Sequence, residues 1–254
     1  MTEVRQLPVL ESQPQVEFRE DDFDALIALK GYDVIHERAI ACPCKEEGGD
    51  NLPNCQNCLG TGWVFVSPFQ TKMVLQSMNK STKFKEWSEE LRGTASVTAR
   101  EVDQLAFMDR ITAMNTQSIF SQVLYAKTVE IESVDVLFIR TIYNIDEILH
   151  FYYFSAVDEA LVEVTQDYEY YNGQTNTIAF DPDDFIGIEN LTFSITYKHK
   201  IQWHVIDIQN EMRQSQRVEA DEFVVTNLPV HAIARRSHFV LDKNNIQGTL
   251  VIPN

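Results

Sequence analysis

No apolar run in these 254 residues approaches the length of about 20 residues that a membrane-spanning helix needs. Residues 1–30 also lack a basic stretch followed by an apolar core, so we expect no signal peptide. Basic residues are scarce, since 21 Lys and Arg stand against 38 Asp and Glu for a net charge of −17. Because tight binding to a nucleic-acid backbone requires clustered cations, this composition argues against a protein that grips DNA or RNA.

The common enzyme signatures are missing as well. The sequence has no Gly-x-Ser-x-Gly elbow, no Gly-x-x-x-x-Gly-Lys phosphate loop, no His-Glu-x-x-His motif and no Gly-x-Gly-x-x-Gly fingerprint. Its six histidines are scattered along the chain. We therefore predict that the protein is not an enzyme and that it has no catalytic residues.

Acidic residues are concentrated in one part of the chain. Between positions 132 and 189 there are thirteen Asp and Glu and a single base, Arg140. Such a surface is usually only solvated, but a wall of like charge also lets DNA slide past without holding it. Alternating apolar and polar residues through the same segment, broken by turn residues, predict a small β-sandwich.

All four cysteines fall in one stretch, as Cys42-Pro43-Cys44 and then, after ten residues, Cys55-x-x-Cys58. Zinc prefers four tetrahedral ligands at about 2.3 Å from sulfur, and two short turns brought together by a hairpin supply such a shell. We therefore predict that Cys42, Cys44, Cys55 and Cys58 bind one structural zinc ion. Two disulfides or free thiols are the alternative, and disulfides would need an oxidising compartment. A catalytic zinc is not expected, because four thiolates leave no open ligand position.

The residues around the cysteines favour a zinc knuckle at the tip of a β-hairpin. Residues 45–54 are rich in Gly, Asn, Asp and Pro, which is turn chemistry. Gly60 and Gly62 would let the backbone curl around the metal with its N–H groups free to hydrogen bond to sulfur. His36, six residues before Cys42, could in principle enter the site.

These patterns divide the chain into five regions. We predict an extended arm at 1–18, a helix and four-cysteine zinc-knuckle module at 19–68, a β core at 69–130 and 192–241, an acidic Ig-like β-sandwich insertion at 131–191, and a tail at 242–254. The fold is expected to be mainly β, with short helices at 20–30 and 83–92. Short strands are predicted elsewhere, among them 63–66, 70–77, 110–113, 123–129, 191–197, 202–208 and 238–241.

Several runs of residues are also distinctive when taken together. They are Gly31-Tyr32-Asp33-Val34, the cysteine pairs with Gly60-Thr61-Gly62-Trp63, Gly93-Thr94-Ala95-Ser96-Val97, Met108-Asp109-Arg110-Ile111, Tyr197-Lys198-His199-Lys200, and the run Leu228-Pro229-Val230-His231-Ala232-Ile233-Ala234-Arg235-Arg236. This combination resembles the neck or connector proteins of tailed bacteriophages of gut Bacteroidales, the crAss-like group.

The resemblance implies a virion structural protein and a connector-type β-barrel or sandwich core. Its expected partners are further copies of the chain in a ring, a dodecamer in that family, together with the portal protein and neighbouring neck or tail proteins. Genomic DNA would pass through the channel without specific binding, and no membrane would be involved. The protein would be assembled in the host cytoplasm, and the arm at 1–18 would suit contact with a neighbouring subunit, because closed rings use heterologous interfaces.

Other interpretations stay open. One is a different phage tail, baseplate or fibre-attachment protein, and another is a zinc-ribbon enzyme or nucleic-acid processing factor. The element Cys55-x-x-Cys58-x-Gly60-x-Gly62 alone also resembles the zinc repeats of DnaJ-type chaperones. Those proteins have several such elements and a helical domain with a His-Pro-Asp turn, whereas this chain has one element and lacks the turn.

Overall fold

The computed structural model describes residues 20–44, 55, 57–58, 61–77, 93–131, 134–155, 160–185, 191–209, 214–219, 222–227 and 229–241. Within these residues the chain is mainly β, as the sequence predicts. The predicted arm at 1–18, helix at 83–92 and tail at 242–254 lie outside them. Neither of the helices in the described ranges has the length and apolar character that crossing a membrane would require.

Two α-helices and fourteen β-strands make up the described part of the fold. The helices are α1 (Glu20–Lys30) and α2 (Ser237–Val240). The strands are β1 (Tyr32–Ala41), β2 (Trp63–Ser77), β3 (Thr94–Ala99), β4 (Arg110–Tyr125), β5 (Lys127–Ile131), β6 (Val134–Arg140), β7 (Glu147–Ser155), β8 (Ala160–Glu163), β9 (Glu169–Tyr170), β10 (Thr177–Phe180), β11 (Thr192–Gln209), β12 (Gln214–Glu219), β13 (Glu222–Asn227) and β14 (Val230–Arg236).

Six of these strands pair in a closed cycle. The antiparallel pairings run β14-β3-β2-β1-β4-β11, and β11 pairs in turn with β14. Closing a sheet in this way removes free edges from its strands. The enclosed core consists of small and medium apolar side chains, namely Val34, Met73, Val97, Ala99, Leu105, Ile111, Val205, Ala232 and Ala234.

β4 and β11 continue beyond this cycle into a second unit. There they pair with each other, and β11 also pairs with β7, which pairs with β8. A separate sheet of order β5-β6-β10-β9 packs against them. Phe180 of β10 stacks on Phe193 of β11 across the interface, with 5.2 Å between ring centroids. The shared strands, 16 and 18 residues long, therefore join the two cores without a linker.

Segment 131–191, which the sequence predicts to be a sandwich insertion, supplies β6 to β10 to this second unit. Because β4 and β11 belong to both units, the strand pairing does not define a domain boundary between the two units. The domain boundaries given above therefore stay predictions.

α1 covers the predicted residues and ends at the predicted glycine. The Gly31 N–H donates to the Ile27 carbonyl at 2.8 Å. A Cβ atom at Gly31 would lie 2.4 Å from that carbonyl oxygen, so a larger residue does not fit. Ile27 is buried, whereas Leu26 and Leu29 are exposed, and α1 therefore buries only a narrow face.

Two pairs of predicted strands are single strands in the structure. The segments at 63–66 and 70–77 form β2, which passes Pro68 through an irregularity where Ser67 has a φ of 52° and the register with β1 shifts. β11 likewise joins 191–197 to 202–208 through a register shift against β4. Pairing with a neighbour carries each strand across residues that locally favour a break.

Predictions for the end of β4 and for the last strand were also wrong. β4 continues through the predicted gap between 113 and 123, because it pairs with β11 on the far side of the closed cycle. The predicted strand at 238–241 is mostly the short helix α2. The chain leaves the sheet after Arg236, and the Leu241 N–H donates to the Ser237 carbonyl at 2.9 Å.

Candidate metal centre

The four cysteines come together beyond the ends of β1 and β2. The Sγ atoms of Cys42 and Cys55 are 3.6 Å apart, and those of Cys44 and Cys58 are 3.4 Å apart. All four sulfur atoms lie within 4.8 Å of one another. Around a zinc ion with bonds of about 2.3 Å, tetrahedral sulfur atoms are about 3.8 Å apart, so small shifts would make this set a zinc shell. The structure therefore brings together all four predicted ligands.

All four cysteines are free thiols, and within the described ranges no His, Asp or Glu joins their cluster. His36 does not enter the site, because it is buried and its Nε2 lies 2.8 Å from Asp109. Four thiolates fill a tetrahedral shell and leave no position for a substrate. The donor set therefore fits a zinc ion that cross-links two turns and thereby stabilises them.

The cysteine tip, which we define as the described residues from Cys42 to Gly62, is also shaped by hydrogen bonds that involve none of the four sulfur atoms. The Cys42 N–H donates to the Gly62 carbonyl at 2.9 Å and joins the two sides of the loop. The Thr61 hydroxyl donates to the Cys58 carbonyl at 2.6 Å and accepts from the Trp63 N–H at 3.3 Å. Gly62 has a φ of 75°, in the left-handed region that favours glycine. The positions of Cys42 and Cys58 are thus constrained by the backbone as well as by a metal.

The thiols differ in acidity because their backbone contacts and burial differ. Hydrogen bonds from the backbone of Cys58, and secondarily of Asn57, lower the pKa of Cys55 to about 6. Burial raises the pKa of Cys58, although a backbone hydrogen bond from Gly62 opposes this effect. Gly62 therefore contacts a sulfur atom as predicted, while Gly60 lies outside the described residues. Since zinc binds thiolates, Cys55 is more readily deprotonated for binding than Cys58.

A second polar cluster, which the sequence motifs did not predict, lies along β1. Asp109 is fully buried and accepts hydrogen bonds from His36 Nε2 and Arg38 Nη1, both at 2.8 Å. The N–H groups of Ala39 and Ala106 donate to the same carboxylate at 3.0 and 2.9 Å. Burial alone would raise the pKa of Asp109, but these hydrogen bonds, chiefly from His36, hold it below its ordinary value. Asp109 thereby ties the turn before β4 to β1.

Two arginines extend this cluster toward the cysteine tip. Arg38 also donates to the Asp103 carbonyl at 2.9 Å. Arg110 forms a bidentate pair with Glu37, with N–O distances of 2.6 and 2.7 Å, and its guanidinium lies 4.2 Å from the centroid of the Phe65 ring. These contacts connect β1, β2 and β4 and are those of a structural network.

In the described part of the acidic segment, the acids are exposed and the one base is partly buried. All the acids described between positions 134 and 185 are exposed, namely Asp135, Asp146, Glu147, Glu163, Asp167, Glu169, Asp181, Asp183 and Asp184. Arg140, at the end of β6, is partly buried, and burial lowers its pKa to about 10. It lines a cavity of about 240 Å³ together with Cys58 and Arg110. Among the described residues its guanidinium has no ion-pair or hydrogen-bond partner.

No protein-family model matches the sequence, and no curated protein matches it. The features that bear on function are therefore the arrangement of this chain's own residues and the sequence motifs that resemble phage connector proteins.

Proposed function

We propose that this chain is a structural subunit of the phage head–tail connector, forming a ring stacked on the portal around the DNA channel, and not an enzyme. The observation that carries the proposal is a long strand edge with no described partner. Over 117–125, β4 pairs with β11 on one side only, since its pairing with β1 is confined to Arg110, Ile111, Thr112 and Ala113. Proteins that remain monomeric normally protect such an edge, because it offers a template for another strand.

The architecture also suits a structural subunit. The six-stranded closed sheet is the kind of small β-barrel that a connector-type core would use. From it β4 and β11 continue into the second unit, with an irregular pairing at the junction, where Lys200 pairs with Gln117 but Gln202 pairs with Thr112. Both strands nevertheless continue through this junction, so two stretches of strand, and not a single linker, join the two units.

The charge distribution supports passage of DNA without binding. Nine exposed acids stand in the described part of 134–185, where Arg140 is only partly exposed, so the second unit is predominantly negative even with Lys127, Lys198 and Lys200 on β5 and β11. DNA is repelled by such a surface, so it would not be held at specific positions. The cysteine tip, with its four-thiolate donor set, would act as a structural fastener within the subunit.

Quantitative mass spectrometry of purified virions, combined with cross-linking, tests this proposal. We expect the chain in a fixed copy number that matches one ring, with cross-links to the portal protein. Cross-links to fibres or baseplate would instead support the alternative tail role. A strictly monomeric protein that is absent from virions would contradict both, and tight, salt-dependent DNA binding would favour a nucleic-acid processing factor.

A further inference from the structure

The backbone of β4 has a definite open side. The Ala126 N–H donates to the Leu191 carbonyl at 3.1 Å, and the register places these two residues opposite each other. In an antiparallel pair, alternate residues direct both backbone groups at the partner strand. The even-numbered residues of 118–126 therefore face β11, and the odd-numbered residues of 117–125 direct their N–H and C=O groups at the open side.

Within the described residues, this edge has none of the usual protection. The nine residues Gln-Ser-Ile-Phe-Ser-Gln-Val-Leu-Tyr at 117–125 contain no charge, no Pro and no Gly, and their pairing with β11 is regular. Their odd-numbered side chains lie on the outer face, where Ile119 is 61% exposed, Val123 49% and Tyr125 59%. A long, uncharged and partly apolar edge is the type that pairs with another strand.

The strands that end the larger sheets differ from β4 in this respect. β8 has only four residues and ends in Glu163. β9 has two residues, of which one is Glu169. β5 carries Lys127 and Glu130 within five residues. Short length and charge are common ways of blocking edge-to-edge pairing, and β4 alone of these four lacks both.

The segment 1–18 has a pattern suited to such an edge. Its two prolines, Pro8 and Pro14, are separated by an even number of positions. In a strand, alternate residues direct their backbone N–H and C=O groups at the same neighbouring strand. If residues 7, 9, 11, 13 and 15 pair with β4, the backbone groups of both prolines therefore point away from β4. Nine residues span about 30 Å, which equals the length of the open edge. The prolines would then block the outer side of the added strand.

We propose that residues 7–15 of a neighbouring copy add to the open edge of β4 as an extra strand. This inference rests on the proposed ring function in one respect, because it takes the chain that supplies residues 7–15 to be a second copy. Backbone hydrogen bonds supply the attachment, and Ile119, Val123 and Tyr125 supply the adjacent apolar surface. Each subunit thus gives one segment and receives one, which is a heterologous contact and so permits ring closure.

A proline placed at alternate positions of the segment tests the pairing directly. Glu11→Pro puts a ring on the pairing side, whereas Ser12→Pro puts it on the side of the native prolines, and Glu11→Gln controls for charge. Self-association is measured by sedimentation velocity, and hydrogen exchange is followed over 117–125. We expect Glu11→Pro to weaken association at least about tenfold and to expose the odd-numbered amides, because one or more net hydrogen bonds are lost. The two control variants should behave as wild type.

Mixing two defective variants identifies the donor. A chain lacking residues 2–16 has an open edge but no donor segment, and Ser121→Pro has a donor segment but a blocked edge. The Ser121 N–H points away from β11, although its hydroxyl accepts a hydrogen bond from Thr196 at 3.1 Å. Circular dichroism checks the folding of Ser121→Pro, and Ile119→Lys is a second edge variant that keeps every backbone N–H. Association of the mixture, with neither variant associating alone, supports the inference. A full chain that stays monomeric with protected odd amides would mean pairing within one chain and would overturn it.

The outcomes separate this inference from the proposed function. If the chain forms rings but Glu11→Pro and Ser12→Pro are indistinguishable, the strand-addition inference is wrong and the connector role stands. If the two variants differ as expected but the protein is absent from virions, strand addition stands and the connector role is wrong.

Discussion

Replacing Asp109 with alanine should destabilise the protein strongly. The substitution leaves buried His36, the inner end of Arg38 and two backbone N–H groups without their acceptor. Removing one partner of a buried charged pair costs about 3–5 kcal/mol, and we expect a loss in that range in the free energy of unfolding. Asp109→Asn keeps one carbonyl acceptor and should lose less, about 2 kcal/mol. Urea unfolding monitored by circular dichroism, with zinc present throughout, measures both values.

The pH dependence gives an independent check of the same carboxylate. Because the pKa of Asp109 is lower in the folded state, its contribution is present above the unfolded value of about 3.9 and is lost as pH falls through the folded pKa. The difference between wild type and Asp109→Asn should therefore shrink below about pH 4. Asp135→Ala, at an exposed acid of β6, is the matched control and should change stability little. A loss below about 1 kcal/mol for Asp109→Ala would refute the reasoning.

Two further predictions concern the metal and the partly buried Arg140. Elemental analysis should find one zinc ion per chain. Cys55→Ser should lower the zinc occupancy, and chelation should lower the midpoint of thermal unfolding. Metal-free protein with all four thiols oxidised would contradict this prediction. Arg140→Met should leave stability unchanged or raise it by up to about 1 kcal/mol, because a partly buried cation without a described partner is costly. Arg110→Met is its control and should destabilise, since it leaves Glu37 unpaired; strong destabilisation by Arg140→Met would show an unrecognised partner.

The features that the sequence could predict are those decided by near neighbours. Cys42, Cys44, Cys55 and Cys58 are close along the chain, so a single hairpin turn brings them together and their spacing already indicates a shared site. α1 was predictable because an acidic first turn, an apolar repeat and Gly31 all lie within twelve residues. In both cases the determining contacts are local.

The features that could not be predicted depend on distant partners. Asp109 contacts His36 across 73 positions, and only the closed sheet brings them together. The run Met108-Asp109-Arg110-Ile111 is distinctive in the sequence, but nothing in it indicates which residue Asp109 contacts. Similarly, Pro68 indicates a break when β2 is taken alone, whereas pairing with β1 absorbs it in an irregularity at Ser67.

The cysteine tip and the open edge of β4 lie at opposite ends of β1. Cys42 directly follows one end, whereas the open edge begins beyond the other, where Asn115 contacts Asp33 at 3.3 Å. Ten residues of strand separate these ends, a distance of about 30 Å. A metal at the cysteine tip would therefore not contact a strand added to β4. It could influence strand addition only by stabilising β1 and β2. Asp109 contacts β1 between these two ends, so the buried carboxylate lies nearer to the open edge of β4 than a metal at the cysteine tip would.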